Sequence, residues 1–203
     1  MSRFLTNIFK GVSHRSRKLF HRPFSTFNIG WVREKVLKHQ TDKKLKSHLY
    51  KNKYKVVFRD GPVFLFSIKE LFVDEFYKFR TNKNKPKIID CGSYIGTSIL
   101  YFKVNYPEAI ITGFEPDDTN YSILKTNIDS WNFFDTNIIN AATWINNGNI
   151  SFNSQGSMAS RIVEESATGH TGNKKIVNCV RLKDLLTEEV DFLKIDIEGA
   201  EYA

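Results

Sequence analysis

Short apolar runs alternate with amphipathic stretches through the second half of this 203-residue chain. Residues 88–91, 110–114, 138–142, 176–180 and 190–197 have the length and content of strands. Between them, residues 96–105 and 117–129 carry apolar positions at helical spacing, with Tyr121, Leu124 and Ile128 on the inner face of the second. Residues 182–186 add a short helix. Parallel strands need crossover connections, so this alternation predicts a parallel sheet. Upstream, residues 31–50 predict a Lys-rich helix with Trp31, Val32, Val36, Leu37, Leu45 and Leu49 as its apolar positions. Residues 53–58 and 63–68 predict two strands around the turn Asp60-Gly61-Pro62. Residues 71–79 predict a helix striped by Phe72, Phe76 and Phe79, and residues 81–86 a loop. Asn147-Gly148 marks a turn joining residues 141–145 to 150–152 as a hairpin. The Ser-, Asn-, Gly- and Thr-rich residues 153–175 predict a loop.

Charge changes this picture at the N-terminus. The net charge is +8, and fifteen of the thirty Lys and Arg fall within residues 1–55, opposed there only by Glu34 and Asp42. Such a segment suits a solvated leader, or contact with RNA, an anionic membrane or an acidic glycan. Residues 1–30 hold no acidic residue, and Phe4, Leu5, Ile8 and Phe9 fall at helical spacing, as in a transit peptide or an interfacial helix. No apolar stretch approaches the ~18 residues of a membrane span. Cys91 and Cys179 lie in separate predicted strands and are expected to be buried thiols, which points to the cytoplasm. The pattern divides the chain into a basic extension, 1–52, and an α/β domain, 53–203.

The chemistry gathers where strands end. Asp90 and Gly92 close the first parallel strand, Gly96 opens the next helix, and Glu115 closes the second strand. Ligands of open α/β sheets bind at these carboxyl ends. Gly92 permits a tight turn and Gly96 a close helix–strand approach. Glu115 can accept hydrogen bonds from ribose hydroxyls, and Pro116 keeps it out of helical geometry. A dinucleotide loop wants G-x-G-x-x-G, whereas Tyr94 and Thr97 stand where its second and third glycines belong. The spacing from Asp90 to Glu115 fits a nicotinamide dinucleotide or S-adenosylmethionine, and the missing glycines favour the latter.

Four blocks then occur in order: Ile89-Asp90-Cys91-Gly92-Ser93-Tyr94-Ile95-Gly96, Phe114-Glu115-Pro116, Asn140-Ala141-Ala142, and Val190 through Lys194-Ile195-Asp196-Ile197-Glu198-Gly199-Ala200-Glu201. Together they resemble the FkbM-type family of S-adenosylmethionine-dependent methyltransferases over residues 55–203. The resemblance implies a Rossmann-like class I methyltransferase sheet in a three-layer αβα arrangement. It implies that Asp90, Gly92 and Gly96, with Ser93 and Tyr94 in the same loop, border the methionine portion of the cofactor. Glu115 with Pro116 would hold the ribose, Asn140 and Ala141 would lie beside the adenine, and Asp196 would face the methyl group. The family usually has Ala-Asn where this chain has Ser93-Tyr94. Its members O-methylate hydroxyls of sugars, glycans or secondary metabolites.

Asp196 and Glu198 are the candidate bases for such a hydroxyl. The competing roles are an amino-group contact for Asp196 and a helix cap for Glu198. His14, His21, His39, His48 and His170 have no metal-ligand spacing, and only His170 falls near the expected acceptor side. The resemblance implies a seven-stranded sheet of order 3-2-1-4-5-7-6, while the chain ends after the fourth strand. A bare apolar edge favours aggregation, so the sequence is expected to be a fragment, poorly soluble and weakly active alone.

Overall fold

The computed structural model describes residues 24–153, 161–162 and 174–197. Its N-terminal part departs from the expected helix over residues 31–50. Helix α1, Trp31–Lys38, stops early, and strand β1, Lys46–Tyr50, pairs antiparallel with β2, Tyr54–Phe58. The cause is a period of two: His48 and Tyr50 are buried while Ser47 and Leu49 face out. Lys51 and Asn52 take left-handed backbone angles (φ 49° and 53°) to close the hairpin.

Residues 63–68 are not a strand but part of helix α2, Gly61–Ile68. Asp60 caps it by accepting from the Val63 amide at 3.1 Å, and Pro62 lies in its first turn. The helix expected over residues 71–79 is reduced to a π-helical turn, Lys69–Val73, beyond which Phe76 points into solvent.

The main sheet is parallel throughout and has the order β10-β3-β4-β5, formed by Phe192–Ile195, Lys87–Cys91, Ile110–Phe114 and Thr136–Ile139. Helices α3, Thr97–Asn105, and α4, Asp118–Trp131, cross between the central strands as the pattern predicts. In strand sequence this order is 4-1-2-3, which read from the other edge is the 3-2-1-4 of the seven-strand order the resemblance implies. The third strand runs from 136 to 139 rather than to 142. Strand β6, Ala142–Trp144, follows separately.

The hairpin expected around Asn147-Gly148 does not form. Strand β9, Lys174–Arg181, lies between β6 and β7, Gly148–Asn153, parallel to one and antiparallel to the other. The two-residue β8, Arg161–Ile162, flanks β7. Helix α5, Leu182–Leu185, then leads into β10. Within β10 only Lys194 is buried. Among the described residues its one hydrogen-bonded neighbour is β3.

One face of the sheet packs Ile88 and Ile111 against Ile99, Leu100, Leu124, Ile128 and Trp131. The same core continues into Phe27, Tyr50, Phe58 and Phe64, whose rings stack pairwise at 4.0 Å. Residues 24–52 therefore share the domain's core, and the boundary expected between 52 and 53 falls on the turn of the hairpin. The buried Asn127 ties this part down, its amide donating to the carbonyls of Val57 and Ile95 and its oxygen accepting from the Val57 amide. The opposite face packs Ile89, Cys91 and Phe114 against Leu182, Leu185, Val190 and Leu193; among the described residues its helix is the single turn Leu182–Leu185. Cys91 and Cys179 are both buried free thiols, as expected.

Candidate functional site

The sheet's carboxyl edge is built around the turn after β3. Gly92 has φ 84°, and a Cβ there would stand 2.0 Å from the Asp196 carbonyl oxygen, so the tips of β3 and β10 touch backbone to backbone. The amides of Gly92 and Ser93 donate to the Phe114 carbonyl at 3.0 and 2.8 Å. Gly96, at φ 88°, opens α3; its missing side chain makes room for Leu124 of α4, 2.8 Å from the Cβ position. Tyr94 between them is left-handed too (φ 49°), a conformation that strains a residue with a Cβ.

Tyr94 pays this strain a return: its amide donates to Glu115 Oε2 at 2.9 Å. Glu115 is 5% exposed, and its Oε1 also accepts from the Asp117 amide at 3.0 Å and from Asn120 Nδ2 at 3.5 Å. Burial pushes its carboxyl up to about 7 against the pull of these donors. The two loops that the sequence assigned to one cofactor are thus joined directly.

Asp90 is not open to a ligand. It is fully buried, Oδ2 accepts from Ser98 Oγ at 2.5 Å, and Oδ1 lies 3.0 Å from Lys194 Nζ in an ion pair without hydrogen-bond geometry. Lys194 reaches it from β10 and donates to the carbonyls of Cys91 and Gly92 at 3.2 and 2.6 Å. Burial alone would pull its ammonium down, but Asp90 and Asp196 outweigh that and hold it above the usual lysine range.

A narrow cleft at this edge is lined by Gly92, Ser93 and Tyr94 together with Glu70 and Tyr77. Lys194 and Asp196 line it too. The Asp196 side chain is 43% exposed and 3.6 Å from Lys194 Nζ. Burial first, and Asp196 next, raise the Glu70 carboxyl. Burial likewise pushes the Tyr77 phenol up to about 12.

The other expected residues are placed differently. Ser93 turns its hydroxyl inward to the Asp90 carbonyl at 3.0 Å. Asn140 is exposed and donates to Asp118 Oδ1 at 2.7 Å, Ala141 is buried, and Pro116 is half-buried; none of these three lines the cleft. Glu198, His14, His21 and His170 lie outside the described residues. His48 is buried with its Nε2 against the Phe27 carbonyl, and His39 is exposed. No group of His, Cys, Asp and Glu fit for a metal occurs among the described residues, and none of their helices is long and apolar enough to cross a membrane. Glu70 and Tyr77 line the cleft without having been singled out by the sequence pattern, and Lys194, quoted there only within the last block, was given no role. For Lys194 the signal was a charged residue in the middle of an apolar strand.

A family model described as "Methyltransferase FkbM domain" matches residues 90–203. "Methyltransferase sdnD" of Sordaria araneosa is 40% identical over 63 residues, 31% of this chain and 24% of that protein. "Methyltransferase 1" of Beauveria bassiana is 34% identical over 64 residues, 32% of this chain and 26% of that protein. The chain thus aligns with about a quarter of the length of these curated relatives. Among solved structures, the methyltransferase FkbM from Methylobacillus flagellatus is similar at 16% identity and a TM-score of 0.44, over 68% of this chain and 37% of that one. The Pyrococcus horikoshii TYW2 structure in complex with MeSAdo is similar at 18% identity and a TM-score of 0.40, over 51% and 38%.

Proposed function

The chain belongs to the FkbM methyltransferase family, and from that premise we propose that it transfers the methyl group of S-adenosylmethionine to a hydroxyl of a sugar, glycan or other metabolite. The observation that carries the choice of donor is the charge of the cleft. Glu70 and Asp196 line it, while its one lysine among the described residues, Lys194, is matched by the buried Asp90. A diphosphate needs uncommitted cations or open amides, yet the amides of Gly92, Ser93 and Tyr94 are already bonded within the protein. A cationic donor fits such a lining.

In this reading Gly92 and Tyr94 shape the floor, and Glu115 takes a ribose hydroxyl. Its two oxygens offer about four lone-pair positions, and three are engaged, which leaves one on Oε2. Bound S-adenosylmethionine supplies an already activated methyl electrophile. The protein's work is then to align the acceptor oxygen, an effect worth ~7–11 kcal/mol, and to take its proton, worth ~10²–10⁴-fold. Asp196, at the tip of β10, is the described carboxylate best placed for the second task. Glu198 keeps its expected role as a further candidate.

Calorimetry with S-adenosylhomocysteine and with NAD tests the assignment. Binding of the first alone is expected, weakened by Glu115→Ala; binding of NAD alone overturns it. Two buried thiols suit a reducing, cytoplasmic setting. An anionic membrane contact of the basic segment draws on helix α1, where Trp31, Val32 and Val36 are 56%, 67% and 62% exposed beside Arg33, Lys35 and Lys38. Co-sedimentation of the chain with vesicles that contain phosphatidylserine, and loss of it in Trp31→Ser, would support this contact.

A further inference from the structure

The methionine end of the methyl donor carries an ammonium group, and a carboxylate recognises one through charge-assisted hydrogen bonds. The sequence pattern assigns that end to Asp90, but Asp90 is committed to Lys194 and Ser98 with no exposed surface. Turning it toward a ligand would take from the buried Lys194 ammonium its nearest counter-ion. Asp196 has the same lysine as a neighbour, at 3.6 Å.

Glu70 is different. It extends from the π-helical turn Lys69–Val73, a type of distortion that recurs at functional sites. It is half-buried and lines the same cleft as Gly92 and Ser93, and among the described residues no ion pair or hydrogen bond engages its carboxylate. Lys194 and Lys69 pull on this carboxylate only from a distance, against burial and Asp196, so a half-buried carboxylate with no direct ion pair gains when a cation comes into contact. We infer that Glu70 is the group that receives the ammonium of the donor's methionine end, closing the cleft from the N-terminal side. This rests on the methyl-donor reading above. It also extends the binding site to a segment outside residues 90–203, the stretch that the family model matches.

Two probes separate this role from others. S-adenosylhomocysteine carries the amino-acid end; 5′-methylthioadenosine keeps the adenosine and the thioether but lacks that end. Calorimetry on the full chain is expected to show Glu70→Gln weakening S-adenosylhomocysteine by roughly 10–100-fold, the size of one lost hydrogen bond to a charged group. The affinity for 5′-methylthioadenosine should change less than about twofold by the same argument, which also reports an intact fold. Glu70→Asp, which keeps the charge on a shorter arm, should lose less than Glu70→Gln. Unchanged S-adenosylhomocysteine affinity in Glu70→Gln overturns the inference, as it would if Glu70 served only as a base. Equal weakening of both probes overturns it as well, since Glu70 would then merely shape the cleft. A wild-type chain that binds neither probe removes the methyl-donor reading and the Glu70 role with it, an outcome distinct from the other two.

Discussion

Glu115 offers the sharpest quantitative handle on the donor site, because its protonation and its proposed work oppose each other. Burial raises its carboxyl from 4.5 to about 7. In the free protein, then, roughly one Glu115 in ten is ionised at pH 6 and nine in ten at pH 8. A ribose hydroxyl donates to the ionised form and favours it. Affinity for S-adenosylhomocysteine should therefore rise as pH climbs through 7, by about tenfold between pH 6 and pH 8, or ~1.4 kcal/mol. Calorimetry in two buffers of different ionisation enthalpy should also detect proton release on binding near neutrality.

The folding side has the opposite sign. An acid whose carboxyl is raised in the fold binds more protons folded than unfolded between 4.5 and about 7. Stability contributed by Glu115 is thus full below 4.5 and falls as pH rises to 7. The total is on the order of 3 kcal/mol. Glu115→Gln removes the titration, so both slopes should flatten while binding weakens at pH 8. A wild-type affinity independent of pH, or an unchanged slope in Glu115→Gln, would refute the reasoning.

Other perturbations test the frame around the cleft. Lys194→Met leaves Asp90 buried without its counter-ion and should cost about 3–5 kcal/mol in urea unfolding; adding Asp90→Asn should restore part of that, and additive losses would count against the pairing. Gly92→Ala and Gly96→Ala each force a side chain into left-handed geometry, worth about 1–3 kcal/mol. Gly92→Ala should melt lower, because its Cβ meets the Asp196 carbonyl rather than a side chain that can yield. Asn127→Leu removes three bonds to the backbone of residues 57 and 95. Loss of roughly 2–4 kcal/mol is expected in chemical denaturation, at about 1 kcal/mol per bond plus the penalty for stranded partners.

The parallel half of the fold was legible because its signals are local. Residues 88–91, 110–114 and 117–129 each announce period and boundary within a dozen positions, and the structure has elements there. The N-terminal part was harder. Val63 through Ile68 is apolar without a period, which a buried helix and a buried strand share; the deciding cue was Asp60 with Pro62, which suits a helix start as well as a turn. Leu45 and Leu49 fitted a helix by spacing, yet both face solvent, since burial of His48 and Tyr50 against Phe27 set the geometry instead. At the site, the loop and Glu115 could be read from the chain because strand ends mark them. The commitment of Asp90 could not, for its partner lies about a hundred residues away and only sheet order brings them together. Glu70 gave no sign, since a lone carboxylate in a weak helical pattern resembles any exposed one.

The lysine seated beneath the first turn binds two distant segments of the chain into one heritable unit. Anyone reshaping this pocket by randomising position 90 alone, or position 194 alone, would collect mostly unfolded clones and mistake a broken foundation for lost chemistry. Varied jointly, with the charges swapped or removed together, the same two positions become a place where the pocket's polarity could be rewritten.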